Sequence, residues 1–226
     1  MKIKRLAGAL GAEISGIDLT GKVTAQDYRA IRNLLVEHEV IFFRKQNVSP
    51  AQQQALASSF GPLQRHPAYA TVPGFPEITV LESTADRPSK IECWHSDMTF
   101  RLHPPMGTVL RSTIIPKAGG DTCFASMTAA YDGLSVPMQT FLSGLEAVHD
   151  FAYGFKESLA EEGGRGRLAQ AVAENPPVVH PVIRTHPESG KKVVFVNALF
   201  TTHIVGLPSD ESRAILQFLY QHCITP

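Results

Sequence analysis

The stretch Glu92-Cys93-Trp94-His95-Ser96-Asp97-Met98-Thr99-Phe100 decides how this chain is read. Apolar and aromatic residues flank a histidine and an aspartate two positions apart. On a β-strand successive side chains point to opposite faces, so His95 and Asp97 would share one face. An imidazole and a carboxylate so placed are two corners of the 2-His-1-carboxylate arrangement, which holds non-haem Fe(II) and leaves coordination positions open. The third corner is expected to be a distant histidine near the C-terminus. The chain stops at Pro226 and offers no evident candidate. Alone, the pair is read first as a structural histidine hydrogen-bonded near a solvated aspartate, since His-x-Asp recurs by chance in many chains.

Outward from this stretch, the pattern predicts further strands over 77–81, 92–100, 106–115 and 122–125. The run Val40-Ile41-Phe42-Phe43 reads as a short buried strand ended by Arg44 and Lys45. A helix is predicted over 24–40, with Thr24 as N-cap and Tyr28, Ile31, Leu34 and Leu35 as its apolar stripe. Ser49-Pro50-Ala51-Gln52 is a capping-box pattern with proline at the first helical position, and that helix should stop by Gly61. Segments 178–185 and 192–197 read as hairpin arms turned by His186-Pro187-Glu188-Ser189-Gly190. A last amphipathic helix spans 209–223, with Ile215, Leu216, Leu219 and Tyr220 toward the core. Between Gly154 and Pro177 the glycines and charges fit a mobile lid or an exposed helix. Strands in the middle with helices outside predict an α+β, mainly β protein built on an antiparallel sandwich or barrel.

The 226 residues suit a single domain with a substantial core, and 43% apolar with 19% charged residues is ordinary for a globular protein. Twenty-one basic residues balance 21 acidic ones, so no global field favours nucleic acid or an anionic membrane. Cys93, Cys123 and Cys223 are scattered, which argues against a disulfide scaffold and for a reducing cytoplasm. The apolar stretch after the basic start is too short for a signal peptide, and no run of about 18 apolar residues is present.

A second element, Gly119-Gly120-Asp121-Thr122, makes a tight turn feeding a strand, and the Thr122 hydroxyl there could donate to a carboxylate. A plain hairpin turn is the competing reading. Downstream come His149-Asp150-Phe151, the stretch from Asn175-Pro176-Pro177 to His180-Pro181, and Arg184-Thr185-His186-Pro187-Glu188-Ser189-Gly190-Lys191. Together with Trp94–Phe100, Pro104-Pro105 and the early Gly11-Ala12-Glu13-Ile14-Ser15-Gly16-Ile17-Asp18-Leu19, this order and spacing resemble the taurine dioxygenase (TauD/TfdA) family of Fe(II)- and 2-oxoglutarate-dependent oxygenases. The resemblance covers nearly the whole chain.

The resemblance implies a double-stranded β-helix (jelly-roll) core with flanking helices. It also implies oxidative decarboxylation of 2-oxoglutarate to succinate, coupled to hydroxylation of a small anionic substrate such as taurine or another alkylsulfonate. His95 and Asp97 match the first two iron ligands, and Thr122 matches a threonine that contacts 2-oxoglutarate. The open metal positions would take the keto acid and O2. His66 and Tyr69 match sulfonate contacts, and Phe155 and Phe200 match aromatic pocket walls; a turn histidine and plain core packing are the competing readings. Ile91 and Gly154 stand where the taurine pattern has asparagine and serine, which points away from taurine toward a larger or more apolar anion. A homo-oligomer is expected, without nucleic-acid or membrane partners.

Family members continue with strands that carry the third ligand and the arginines for 2-oxoglutarate and sulfonate, and these are absent here. The chain is therefore expected to be an incomplete view of a longer enzyme, or else a truncated, inactive homologue serving as an interaction or oligomerisation module. Neither His203 nor His222 is a strong substitute ligand. The remaining histidines, His38, His103, His149, His180 and His186, have ordinary structural readings.

Overall fold

In the computed structural model, residues 1–84, 86, 88–89 and 91–225 are described. They fall into two compact units, one of Met1–Val80 with Met106–Ser126 and one of Leu81–Pro105 with Met127–Pro226.

The first unit holds a three-stranded sheet of β1 (Lys2–Arg5), β2 (Ala12–Ser15) and β3 (Ile41–Phe43), in that order. β1 runs antiparallel to β2, and β2 parallel to β3. A parallel pair needs a crossover, and helix α1 (Ala25–His38) supplies it. Thr24 caps this helix as predicted: its hydroxyl accepts the Asp27 N–H, while the Asp27 carboxylate accepts the Thr24 N–H at 2.9 Å. Ala12 and Ile14 on β2 and Ile31 on α1 are buried, so the helix stripe and the inner sheet face form a small core. Helix α2 (Pro50–Ser58) opens at the predicted box, Ser49 and Gln52 exchanging side-chain and backbone bonds. A short hairpin of β4 (Thr71–Val72) and β5 (Phe75–Thr79) is tied to α2 where Gln54 donates to Glu77 at 3.2 Å.

After the segment Leu81–Pro105, the second unit holds α3 (Met127–Asp132) and α4 (Val136–Ser143), followed by β6 (Glu146–His149). Three helices come next: α5 (Phe151–Gly154), α6 (Lys156–Ala160) and α7 (Gly164–Glu174). The segment between Gly154 and Pro177 is thus largely helical. The chain continues through β7 (Val178–Pro181), β8 (Ile183–Thr185), β9 (Lys192–Val194), β10 (Thr201–Ile204) and α8 (Ser209–Cys223).

β6 lies between β10 and β7, antiparallel to both, and β8 pairs with β9. The predicted hairpin is therefore real only for its inner halves. Its first arm divides at the buried Val182, whose N–H bonds the Leu145 carbonyl and whose carbonyl accepts the Phe195 N–H. Leu142, Ala147, Val182, Val194, Ile204 and Leu219 form the centre of the core. α8 matches its predicted bounds, lays Leu216 and Leu219 into that core, and offers the Ser212 hydroxyl to the Ile204 N–H at 2.8 Å.

The protein is thus a mixed α/β fold with several small sheets. Three of the expected central strands, 92–100, 106–115 and 122–125, are not strands, and the fourth, 77–81, is displaced to β5. A strand exists only where a neighbour takes its backbone N–H and C=O groups, and no described segment ladders against these three. Leu110, Ile114 and Ile115, within the strand expected over 106–115, are 64%, 91% and 67% exposed.

Leu219→Ala should cost about 2–5 kcal/mol because it opens a cavity in the second unit's core. Ser49→Ala, which removes an exposed cap, should cost about 1 kcal/mol. Urea denaturation followed by far-UV circular dichroism reads both.

Candidate metal site

His95 lies on an irregular, unpaired segment and Asp97 opens the turn 97–100. The two converge without help from a sheet: His95 Nε2 is 3.3 Å from Asp97 Oδ1. The other ring nitrogen, Nδ1, donates to the Cys93 carbonyl at 2.8 Å. A carbonyl acceptor there fixes the ring orientation and aims Nε2 at the carboxylate, the support that metal-bound histidines characteristically have. The Asp97 carboxylate, as hydrogen-bond partner, raises the His95 pKa above its ordinary value against the opposing effect of burial. One nitrogen and one hard oxygen on a common, accessible side fit a divalent ion of the Fe(II) type. Among the described residues no third histidine, cysteine or acid joins them. His203 is exposed and shares a bond with the Thr202 hydroxyl, while His222 bonds the Ala130 carbonyl and stacks on Phe218. Neither completes the pair.

Directly after the accessible Asp97 the chain turns inward. Met98, Thr99 and Phe100 are 7%, 2% and 1% exposed, and Met98 adopts a left-handed φ of 53°. The Thr99 hydroxyl meets His149 Nδ1 at 3.0 Å and accepts from Asn197 Nδ2 at 3.1 Å. His180 Nε2 donates to the Arg101 carbonyl at 3.0 Å. The Phe100 ring packs edge-on against Phe151 and Phe200. Burial first, and then the neighbouring His180, push the His149 pKa down to about 3. Its ring is therefore neutral near pH 7. Sequence reasoning gave His149 and His180 ordinary structural roles and did not find this network. Only the position of His149 at the end of an apolar strand hinted at it.

Phe155 and Phe200 come together in one aromatic cluster with Phe100 and Phe151. Their rings are 6.4 Å apart, and the residues are 5% and 3% exposed. Gly154 explains how Phe200 fits: a Cβ at this position would lie 2.4 Å from the Phe200 ring. The departure from serine is thus a matter of space as well as polarity. Ile91 is half-buried in an irregular segment, where its N–H donates to the Ser89 hydroxyl.

In the first unit His66 and Tyr69 pair, their rings 4.5 Å apart. His66 Nδ1 accepts the Ala68 N–H, which leaves the ring proton on Nε2 as a donor. Thr122 is exposed and follows Gly119 and Gly120, both with positive φ, in a segment with no strand after it. A groove of about 430 Å³ beside α5–α7, rimmed by Lys156 and Arg165, includes none of the predicted site residues.

The profile of the family described as taurine catabolism dioxygenase TauD, TfdA family matches residues 2–226. This chain belongs to the TauD/TfdA family. An alkylsulfatase of Acinetobacter baylyi is 32% identical over all of the chain and 72% of its own length. An α-ketoglutarate-dependent sulfonate dioxygenase of Saccharomyces cerevisiae is 34% identical, over 97% of the chain and 55% of its own length. A crystal structure of a taurine dioxygenase from Burkholderia xenovorans superposes with a TM-score of 0.81 at 33% identity, covering all of this chain and 73% of that one. The TauD/TfdA family is enzymatic, and its α-ketoglutarate-dependent members use 2-oxoglutarate and O2 as cosubstrates. No helix among the described residues is long and apolar enough to cross a membrane.

Two outcomes follow from the buried cluster. Because the His149 pKa lies below its unfolded value of 6.5, the unfolded chain binds more protons below that pH. The contribution is complete above pH 6.5 and is lost as pH falls toward about 3, so urea midpoints should drop steadily between pH 7 and 4, and less so in His149→Asn. Gly154→Ala should cost about 1–3 kcal/mol by overpacking Phe200, read by thermal denaturation.

Proposed function

We propose that this chain is an Fe(II)- and 2-oxoglutarate-dependent dioxygenase domain acting on a small anionic organic substrate of the sulfonate or sulfate-ester class. The observation that carries this reading is the convergence of His95 Nε2 and Asp97 Oδ1 at 3.3 Å, with His95 Nδ1 held by the Cys93 carbonyl. In this reading residues 1–226 are one catalytic domain with a double-stranded β-helix core, and the assembly is a homo-oligomer. Free thiols at Cys93, Cys123 and Cys223 suit a reducing cytoplasm.

His95 and Asp97 supply two protein donors to the metal. Held there, ferrous iron would supply the redox chemistry that couples O2-dependent decarboxylation of 2-oxoglutarate to succinate and CO2 with hydroxylation of the substrate. Everything else asked of the chain is orientation and exclusion of water. The Cys93 carbonyl keeps the imidazole aimed, and the anchored turn after Asp97 keeps the carboxylate in place. Thr122 donates its hydroxyl to a carboxylate of 2-oxoglutarate. His66 Nε2–H and the Tyr69 phenol donate to the substrate's anionic oxygens. Phe155 and Phe200 form the apolar wall, with Ile91 replacing a polar contact. That exchange favours a longer or more apolar chain than taurine, by about 1–3 kcal/mol per methylene. Hydroxylation at the carbon bearing sulfur would release sulfite and an aldehyde from a sulfonate.

Incubation with Fe(II), ascorbate, 2-oxoglutarate and a panel of alkylsulfonates and alkyl sulfates should yield succinate, with sulfite from the sulfonates. Chelation should abolish turnover, and His95→Ala or Asp97→Ala should lower it by at least about 100-fold. An absence of succinate with every substrate of the panel would refute the assignment.

A further inference from the structure

The Thr99 hydroxyl stands between two partners with one proton to give. His149 also makes a backbone hydrogen bond to Phe195. Its Nδ1 lies 3.0 Å from the Thr99 hydroxyl, and both ring nitrogens lie 3.5 Å from the Thr201 hydroxyl. The Thr99 hydroxyl therefore bonds His149 Nδ1 on one side, and its oxygen accepts from Asn197 Nδ2 on the other. Asn197 is committed at its other end too. Its Oδ1 accepts the Leu199 N–H at 3.1 Å and the Phe200 N–H at 2.9 Å, and its own N–H donates to the Thr201 hydroxyl at 3.0 Å. One amide thus grips the turn that follows Asp97 and the loop that carries Phe200.

We propose that Thr99 and Asn197 are positioning residues that hold the Asp97 carboxylate and the Phe200 ring in one register. The inference rests on the reading of His95 and Asp97 as metal ligands. Thr99 is two residues from Asp97, and the bond from the Phe200 N–H acts on that residue itself. Thr99, His149, Asn197 and Thr201 are all buried, so no water replaces a broken member of the chain. Loosening the bridge displaces a ligand and a pocket wall together, and outer contacts of this kind change metal affinity by about 10–100-fold.

The full chain is compared with Thr99→Val, Thr99→Ser and Ser212→Ala, using Co(II) titration by absorbance and hydrogen exchange read by mass spectrometry. Ser212 is a control: it is equally buried and bonds the Ile204 N–H away from Asp97. Thr99→Val is expected to weaken Co(II) binding about 10–100-fold and to speed exchange in segments 94–98 and 198–200 together. Thr99→Ser should restore both, and Ser212→Ala should lower the melting temperature while moving neither. The proposal is overturned if only one segment loosens, or if Thr99→Val and Ser212→Ala speed exchange alike in proportion to lost stability. If Thr99→Val does not fold, Thr99→Cys, which keeps the size but weakens both bonds, is read the same way. Failure of the unaltered chain to bind Co(II) would count against the metal reading, while the coupled exchange still decides the bridge.

Discussion

A histidine and a carboxylate can face one ion only if the backbone between them is held from behind, and here that restraint falls on the turn after Asp97. The ligand pair is accessible, whereas Met98, Thr99 and Phe100 are among the most buried residues of their unit. The Thr99 hydroxyl reaches β6 through His149 and the approach to β10 through Asn197, and Phe100 wedges among aromatic rings. An exchangeable site thus rests on an unexchangeable base. Burial keeps the His149 ring of that base neutral by holding its pKa near 3.

The same cluster links ligand geometry to pocket shape. Phe200 approaches Gly154 so closely that no side chain fits between them. Replacing glycine there would press on the ring, and the ring shares Phe100 as a neighbour with the ligand turn. Under the proposed function, selectivity and metal geometry therefore draw on one packed set of side chains. A polar residue at position 154 would alter both.

Some of this was legible in the sequence because the physics is local. The reciprocal caps at Thr24 with Asp27 and at Ser49 with Gln52 involve residues three apart, so the predicted helix starts match the observed ones. The apolar stripe of α8 needs only a period of 3.6 and a core to face. His95 and Asp97, two positions apart, do meet, but across an unpaired segment and the turn that follows it rather than on one face of a strand. The strands expected over 92–100, 106–115 and 122–125 did not form, since alternation states a preference that a hydrogen-bonding neighbour must realise.

What the amino-acid sequence by itself determined is the caps that start the helices and the family pattern in which the proposed donors, His95 and Asp97, are embedded. These depend on residues within a few positions of each other, or on their order along the chain. Tertiary structure alone decided that Val182 divides a predicted strand between two sheets, that Gly154 makes room for Phe200, and that His149 and Asn197 anchor the turn behind Asp97. Thr99 and Asn197 are 98 residues apart. No periodicity encodes a bond across that separation; it exists because burial left each group without water and the fold brought the other within reach.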